Sequence, residues 1–558
     1  MKLNKKENYL FYLLFIKLKS KMKKLIYLFA LAILAGMGFC ACSTEEVTPI
    51  SPTNPGTDPS GNPSTYATFR FNLAASSRAE ADYVPGKFTP KDTEDATLNP
   101  NDLRLVIFNA KNGAVEYNEK MTKTSETVLL TAGKKKIFVF ANVGTLNDTN
   151  GGATDNFNAR IAEFTKGGTK TYSDFEKLTF SAGTPQIYSV DKATTDRSFN
   201  IAPLHTYPAA AHGLPASNSN EFEYDAKADV TKEQAEDNSV TPSNSGTNPN
   251  NRFNIQLYYM VAKARLVTGP QALTDGSVSP YHKVSNIKYS IKNLARYTYY
   301  TQHTSVPQSY YHFANYELTT LQTEFDKDFD YASSIEINAE PSNTQESSAN
   351  YLYVPENTHQ HIRRGQSSFY AINLTFEPGT VVESVTQDLN VGLVTTTKKL
   401  ADFTGANSKD YIYVSSPITS SIGRGTYFKT YDLLVQAVWI DQFGNSTNKW
   451  AGSQAQKDEA IAHIETKKVD NELPYLAFTN AQSWYRLDIG EGDGDSADFG
   501  VLRGRSYVAT INAITGPGYP KEENLYNKPG DPVSSMAYLN ATITAAKWIP
   551  ASQTGVLE

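Results

Sequence analysis

Few residues in this chain have types and spacings suited to chemistry. His359 and His361 are separated by one residue and could form a metal-binding pair, but no third ligand stands near them in the sequence. Carboxylates and glycines alternate through residues 488–498, a composition suited to Ca²⁺, although the spacing departs from the EF-hand pattern. Motifs for a serine nucleophile, a phosphate-binding loop and a zinc protease are absent from the sequence. We therefore predict no catalytic residue, no metal, no cofactor and no enzymatic activity.

The acidic stretch leaves two interpretations open beside that of a solvated hairpin tip. Asp493, Asp495 and Asp498 could together bind calcium. Asp495-Ser496-Ala497 resembles the acceptor triplet for O-glycosylation in Bacteroidetes, with Ser496 as the modified residue.

Charge and cysteine content exclude several classes of protein. The 558 residues carry 52 Lys and Arg against 58 Asp and Glu, a net charge of −6, so nucleic acid is not an expected partner. The only two cysteines, Cys40 and Cys42, exclude a disulfide scaffold and a cysteine-based zinc or iron–sulfur site. The length predicts two to four domains.

The cysteines end an apolar run with the features of a signal peptide. Lys23 and Lys24 precede the apolar residues 25–39, a run too short to span a bilayer comfortably. We assign residues 1–41 to the signal peptide, with 1–21 interpreted as a start-site extension. Cys42, after the small Ala41, resembles the acylated cysteine of a bacterial lipobox, whereas Cys40 follows a bulky phenylalanine. The alternative is signal cleavage without lipid.

A tether follows the predicted lipid anchor. Residues 42–65 are mostly Pro, Ser, Thr, Gly and Asn, which cannot bury enough apolar surface to offset chain entropy. Ser43-Thr-Glu-Glu46 resembles the surface-export signal of Bacteroidetes lipoproteins. The precursor is therefore predicted to be held by lipid in the outer membrane, facing outward.

The remainder of the chain is predicted to be all-β. Aromatic residues make up 12% of the chain, and Gly and Pro punctuate short alternating runs. In residues 66–73, Ala67, Phe69, Phe71 and Leu73 fall on one face of a half-buried strand. Asn112-Gly113 predicts a hairpin between its flanking strands.

Further elements follow from the same patterns. Residues 128–130 and 137–140 suggest another hairpin, and residues 157–164 and 172–178 suggest short helices. Strands are also predicted at 103–108, 114–117, 253–261, 262–267, 284–291, 351–354, 368–376, 431–439, 483–488 and 506–512. A boundary near 267–283 would divide two β domains.

Two segments at opposite ends of the chain carry the functional prediction. Arg78, before Ala79, stands in a small, polar and flexible segment that a trypsin-like protease could cut, which would separate residues 66–78 from the rest. Near the C-terminus, residues 538–545 alternate after a Pro- and Gly-rich linker and look like a strand with no sheet of its own. The alternative is that this strand pairs within its own chain. Its predicted core-facing residues are Leu539, Ala541, Ile543 and Ala545, followed by Trp548.

The order of short motifs resembles that of a known family. They are the lipobox at Cys42, Ser77-Arg78-Ala79, Gly133–Asn142, Val261–Val267, Tyr353–Thr358, Trp484-Tyr-Arg486, Leu502–Val508 with Gly516–Pro520, and the terminal strand with Trp548. This order resembles the Bacteroidales fimbrillins, or type V pilins, and within them the larger shaft subunit of minor fimbriae. One departure is Leu502-Arg-Gly-Arg505, where the family often has Arg-Asn before an aromatic residue.

The resemblance implies two tandem transthyretin-like β-sandwich domains with a C-terminal donor-strand extension. The implied segments are signal peptide 1–41, tether 42–65, first strand 66–78, N-terminal domain 79–270, C-terminal domain 271–520, and linker with donor strand 521–558. An extracellular Arg-specific protease would cut after Arg78, and the strand carrying Phe69, Phe71 and Leu73 would leave. The C-terminal strand of the next copy would then fill the groove, giving a head-to-tail fimbria on the cell surface that supports adhesion.

The implied partners are other copies of the chain and fimbrial anchor and tip subunits. An anchor subunit would keep its lipid and need neither Arg78 nor a spare terminal strand, so these features favour a shaft subunit. A tip subunit would share the processing. A surface glycan-binding lipoprotein would share the signal peptide and sandwiches but should show an aromatic platform and no donor strand.

Overall fold

The described residues lie in one compact unit. The computed structural model describes residues 61, 63–73, 103–121, 123, 125–141, 147–148, 157–181, 204–206, 223–243, 247–259, 262–269, 282–295, 297–299, 329–330, 337–341, 352–357, 364–365, 367–490, 500–501, 503, 505–527 and 539–547. Contacts divide the chain after Thr53, and every described residue belongs to the second unit, Asn54–Glu558.

Strands dominate the described part of the chain. In chain order they begin with β1 Ser64–Leu73, β2 Leu103–Asn109, β3 Val115–Met121, β4 Ser125–Thr131, β5 Gly133–Ala141, β6 Asn147–Asp148, β7 Thr179–Ser181, β8 Leu204–Thr206, β9 Glu223–Ala226, β10 Arg252–Tyr259, β11 Ala262–Thr268, β12 His282–Lys292, β13 Leu294–Ala295 and β14 Tyr297–Tyr299. The later strands are β15 Phe329–Asp330, β16 Ile337–Asn338, β17 Glu340–Pro341, β18 Leu352–Val354, β19 Phe369–Pro378, β20 Thr380–Asp388, β21 Gly392–Lys399, β22 Tyr411–Val414, β23 Tyr427–Phe428, β24 Tyr475–Phe478, β25 Gln482–Asp488, β26 Arg505–Ile514 and β27 Leu539–Lys547.

Helices are few and short by comparison. The described α-helices are α1 Phe157–Ala162, α2 Tyr172–Phe175, α3 Lys232–Glu236, α4 Tyr431–Phe443 and α5 Gln454–Glu465. Two 3₁₀ turns span Leu400–Asp402 and Glu522–Tyr526. The predicted all-β class is confirmed, and α1 and α2 occupy the two stretches predicted as short helices.

The first sheet has eight strands, which come from the N-terminal half of the chain. Its strand order is β3-β2-β5-β8-β10-β1-β4, with β9 also paired to β5. The predicted Asn112-Gly113 hairpin is confirmed, because β2 pairs antiparallel with β3 and Gly113 has a φ of +71° that suits glycine in this turn.

The hairpin suggested between residues 128–130 and 137–140 is wrong. The two strands containing them, β4 and β5, are separated by Ala132 alone, which is too short for a two-residue hairpin loop. They pair with different partners, β4 with β1 and β5 with β2. The Ala132 amide donates instead to the carbonyl of Pro63, just before β1.

The chain changes sheets between β10 and β11. β10 pairs with β1 and β8, whereas β11 pairs in parallel with β26, which in turn pairs with β27. The second sheet has the order β17-β11-β26-β27, with β18 also on β11. β11 thus shares its sheet with strands that follow the predicted boundary at residue 270. The division into domains 79–270 and 271–520 stays a prediction.

In a third sheet, the chain segment that connects two neighbouring strands forms a layered region. β19 pairs with β25, and the chain between them forms the sheet β21-β20-β23-β22-β24 and the helices α4 and α5. Alternate residues of β22 face opposite ways: Tyr411 and Tyr413 join the main apolar core, whereas Ile412 and Val414 join a second core with the helices. Both faces of β22 are therefore buried.

The strand predicted at residues 431–439 is wrong, because these residues form helix α4. The Thr430 hydroxyl accepts a hydrogen bond from the Leu433 amide and caps the helix. The buried residues of the helix are Leu434, Val435, Ala437, Val438, Trp439 and Ile440. A continuous apolar run does not show by its period whether it is a buried helix or a buried strand, which explains the error.

Candidate assembly site

The first strand occupies an interior position in the eight-stranded sheet. β1 runs parallel to β10, from the pair Thr68 and Arg252 to the pair Leu73 and Leu257. Its other edge is antiparallel to β4. Both edges of β1 are therefore hydrogen-bonded, and removing the strand would leave two facing rows of unpaired backbone groups.

One face of β1 is part of the apolar core. Ala67, Phe69 and Phe71 are 0%, 1% and 2% exposed. The ring of Phe69 stacks on that of Phe253 in β10, with centroids 5.6 Å apart and an interplanar angle of 24°. This confirms the alternation predicted for these three residues. The side chain of Leu73 lies outside the described residues, although its backbone pairs with β10.

The other face of β1 is more covered than alternation predicts. Thr68 is 5% exposed, and its hydroxyl lies 2.8 Å from that of Thr127 in β4. The segment around α3 lies over this part of the strand, where the Tyr66 amide donates to the Val230 carbonyl at 2.9 Å. A single sequence period cannot reveal such a cover, because its residues are more than 150 positions away.

Asn251 forms hydrogen bonds with the first half of β1. It is 0% exposed, and its φ of +50° is the left-handed conformation that asparagine tolerates better than most residues. Its side-chain Nδ2 donates to Thr65 Oγ1 at 2.9 Å and to the Tyr66 carbonyl at 3.0 Å. Its own carbonyl accepts from the Thr68 amide at 2.9 Å. One buried residue therefore holds three bonding points of the strand in register, at Thr65, Tyr66 and Thr68.

Arg252, the next residue, is buried beside the same strand. It is 1% exposed, and its Nη2 donates to Asn238 Oδ1 at 2.9 Å. Arg70 of β1 donates its own Nη2 to the same oxygen at 2.8 Å. Burial lowers the pKa of the Arg252 guanidinium, and the positive charge of Arg70 lowers it further, while the Asp237 carboxylate opposes both effects.

Sequence patterns do not identify Asn251 and Arg252 as parts of the site. Residues 248–251 read Asn-Pro-Asn-Asn, which predicts a turn before an apolar strand. That prediction fits the local backbone, but the contacts to β1 depend on residues far away in sequence.

The C-terminal strand is paired within its own chain. β27 is antiparallel to β26, from Arg505 opposite Lys547 to Ile514 opposite Leu539, and stands at the end of the described strand order. The expectation of a strand with no sheet of its own is therefore corrected: β26 offers a complete edge, and the linker is long enough to return the chain to it. The donor role of β27 stays a prediction.

The predicted donor residues face the core in part. Leu539 is buried, and Ala541 and Ile543 are partly buried against the main core. The backbone of Ala545 pairs with Tyr507, but its side chain is not described. Trp548 lies outside the described residues.

Other predicted site residues also lie outside the described part of the chain. They are Cys42, Arg78, Ala79, His359, His361, Asp493, Asp495, Ser496 and Asp498. Among the residues that are described, no group of three or more His, Cys, Asp or Glu side chains could hold a metal ion. In the same residues, no helix is long and apolar enough to cross a membrane.

A family model matches the part of the chain that contains β1 and its neighbours. Residues 67–244 match the family described as "Major fimbrial subunit protein (FimA)". This part of the chain is therefore similar to fimbrial subunits of the fimbrillin family. The match begins within β1 and extends past α3, so it includes most of that strand, both of the first hairpin strands and the segment that covers Thr68. The fimbrillin family consists of fimbrial structural subunits and is not a family of enzymes.

Solved structures are similar over most of the chain. A fimbrilin from Porphyromonas gingivalis W83 is 12% identical, and the match covers 88% of this chain and 99% of that chain with a TM-score of 0.35. The tip fimbrial protein Mfa3 from Porphyromonas gingivalis is 12% identical, and the match covers 87% and 100% with a TM-score of 0.31. A comparison with curated proteins gives no match.

Proposed function

We propose that this protein is a structural subunit of a cell-surface fimbria that polymerises by exchanging its first strand for the C-terminal strand of another copy. The observation that carries the proposal is the interior position of β1, paired on both edges and packed through Phe69 and Phe71 into the core. A strand in this position cannot leave without opening a long apolar groove. A second strand must then fill that groove, which makes assembly obligatory once β1 is released.

Maturation would begin with a membrane-bound precursor. Acylation of Cys42 would hold the chain in the outer membrane while the sandwich folds around β1. Cleavage between Arg78 and Ala79 by an extracellular Arg-specific protease would cut the connection between β1 and the rest of the fold. After the cut, β1 would be held only by non-covalent contacts, so its departure becomes reversible and a competing strand can take its place.

The proposed competitor is β27 of a second copy. It has nine residues against ten for β1, so it can cover most of the same groove. Leu539, Ala541 and Ile543 share one face, as do Ala67, Phe69 and Phe71 in β1. β27 is paired on only one edge in the described sheet, so it leaves fewer hydrogen bonds behind than an interior strand would. Repetition of this contact would not close and would give a head-to-tail filament.

Removing the cleavage site tests the first step. Arg78→Ala should give an unpolymerised, membrane-bound precursor, because β1 stays covalently attached. Lys87→Ala is the matched control, since it removes the next basic residue along the chain. Filaments of normal length from the Arg78→Ala protein, seen by electron microscopy, would show that release of β1 does not depend on this site.

Removing the donor strand tests the second step. A chain lacking residues 537–558 should be processed at Ala79 but should add no further subunits, which N-terminal sequencing and gel electrophoresis would show together. Polymer of unaltered length from this truncated chain would exclude β27 as the donor. If the purified surface protein began instead at acylated Cys42, an anchor subunit would be the better assignment.

A further inference from the structure

Two arginines meet at one amide oxygen beside β1. Arg70 Nη2 and Arg252 Nη2 both donate to Asn238 Oδ1, at 2.8 and 2.9 Å. Two cations that share one small acceptor must lie close together, and like charges on neighbouring strands are destabilising. Arg70 belongs to the strand that the proposed function removes, whereas Arg252 and Asn238 belong to the part of the chain that stays.

Arg252 has unmet hydrogen-bonding capacity. Its Nε and Nη1 are buried and have no hydrogen-bond partner among the residues that the structure describes. A buried donor without a partner costs free energy, and the cost is larger for a charged group. Asp237 lies near enough to favour the charged guanidinium but forms no hydrogen bond that would satisfy either nitrogen.

β1 supplies the wrong chemistry at this point. Thr68 is the register partner of Arg252, but its hydroxyl is already bonded to Thr127. The next side chain on the same face is Arg70, which brings a second positive charge. The first strand therefore fits the groove through its apolar face and fits it poorly through its polar face.

The C-terminal strand has different residues on its polar face. Asn540, Thr542 and Thr544 alternate with the apolar positions, and each has a neutral side chain with an oxygen that can accept a hydrogen bond. Thr542 is exposed in β27, where its hydroxyl accepts a hydrogen bond from Asn512 Nδ2 of β26 at 2.7 Å that detachment of the strand would release. A strand of this composition would remove the like-charge contact and could satisfy Arg252.

We propose that Arg252 selects which strand occupies the place of β1. It disfavours a strand that carries a cation and favours one that offers a neutral oxygen acceptor. The selected occupant is residues 539–547 of a second copy. The identity of that occupant rests on the proposed function. The mismatch between Arg70 and Arg252 is present in the precursor, so it can be tested without any polymerisation.

Thermal unfolding of the full-length precursor tests the mismatch. Arg70→Thr should raise the Tm by roughly 1–3 °C when Arg252 is present, and by clearly less in an Arg252→Met background. Lys120→Thr is the charge-matched control, because it removes an exposed lysine from the same sheet and should act equally in both backgrounds. Equal shifts from Arg70→Thr in both backgrounds would overturn the inference. If the Arg252→Met protein does not fold, Arg252→Gln gives the same comparison.

Polymerisation rates test the selection of the incoming strand. Asn540→Arg or Thr542→Arg should slow the growth of matured protein severalfold, because each brings back a cation to the polar face of the donor. Thr395→Arg, on the exposed part of β21, is the control and should leave the rate unchanged. Unchanged rates for both donor variants would overturn the selection. Polymer growth in the protein lacking residues 537–558 would instead overturn the proposed function and leave the Arg70 and Arg252 result standing.

Discussion

At the scale of single residues, the candidate assembly site combines apolar and polar contacts that have different consequences. Phe69 and Phe71 anchor β1 through burial, and Asn251 fixes its register through three hydrogen-bonding points. Alternation in the sequence is sufficient to predict the two phenylalanines as core residues. It cannot predict Asn251 or Arg252, since their partners are about 180 residues away and become neighbours only through the parallel pairing of β1 with β10.

The stacked rings of Phe69 and Phe253 should contribute a large part of the free energy that keeps β1 in the sheet. Phe69→Ala should lower the free energy of unfolding of the precursor by about 3–5 kcal/mol, because it removes a buried ring and leaves a cavity beside Phe253. Denaturation in guanidinium chloride would measure this loss. Leu129→Ala, at a 40% exposed position of β4, is the control and should change the stability by less than about 0.5 kcal/mol. Equal losses in the two variants would contradict the burial argument.

Buried tyrosine hydroxyls should make the protein sensitive to alkaline pH. Burial, aided by Glu126 and Glu119, raises the pKa of Tyr117 to about 12. Burial also raises the pKa of Tyr224. An unfolded tyrosine ionises near pH 10, so the unfolded state loses its protons first as the pH rises. The stabilising contribution of the neutral folded hydroxyls is therefore complete below about pH 10 and is lost as the pH approaches the folded pKa.

Denaturant midpoints measured between pH 8 and 11, with absorbance at 295 nm to follow ionisation, would check this expectation. The midpoint should fall above about pH 10, and Tyr117→Phe should reduce the fall. A midpoint that stays constant up to pH 11 would contradict it.

At the scale of elements, short alternating strands are predictable and their partners are less so. β1, the β2–β3 hairpin and β19 follow from local pattern and turn chemistry. Three other features depend on distant partners. β4 turns away from β5 to pair with β1, α4 is a buried helix with a strand-like composition, and β27 lies on the edge of β26. In each case tertiary contacts decide between structures that the local sequence permits equally.

A close approach of two backbone segments supports the end of β25. Trp484 and Tyr519 exchange two backbone hydrogen bonds of 2.8 Å, and a Cβ at Gly518 would overlap the Trp484 carbonyl oxygen. Gly518→Ala should therefore destabilise the protein by about 1–3 kcal/mol. Gly423→Ala is the control, because a Cβ there meets nothing within 4 Å and φ is not positive. Equal thermal melting of the two variants would contradict this close packing.

At the scale of the whole molecule, the two strands central to the proposed function stand in different sheets. β1 is an interior strand of the first sheet, whereas β27 is at the end of the second. This arrangement gives the precursor a complete fold in which both strands are paired. Assembly would then require two changes, the release of β1 by cleavage and the detachment of β27 from β26. Under the proposed mechanism β1 stays in place until cleavage, so the precursor would be exported as a monomer.

Locking β27 onto β26 tests the central claim most directly. Thr510 and Thr542 are register partners, and Thr510→Cys with Thr542→Cys should join the two strands by a disulfide. The natural cysteines, Cys40 and Cys42, lie in the segment that maturation is proposed to remove. The oxidised protein should be processed at Ala79 and remain monomeric, polymerising once a reductant is added, while each single-cysteine variant polymerises throughout. Filaments grown from the oxidised protein at the normal rate would show that β27 never leaves its own chain to join another.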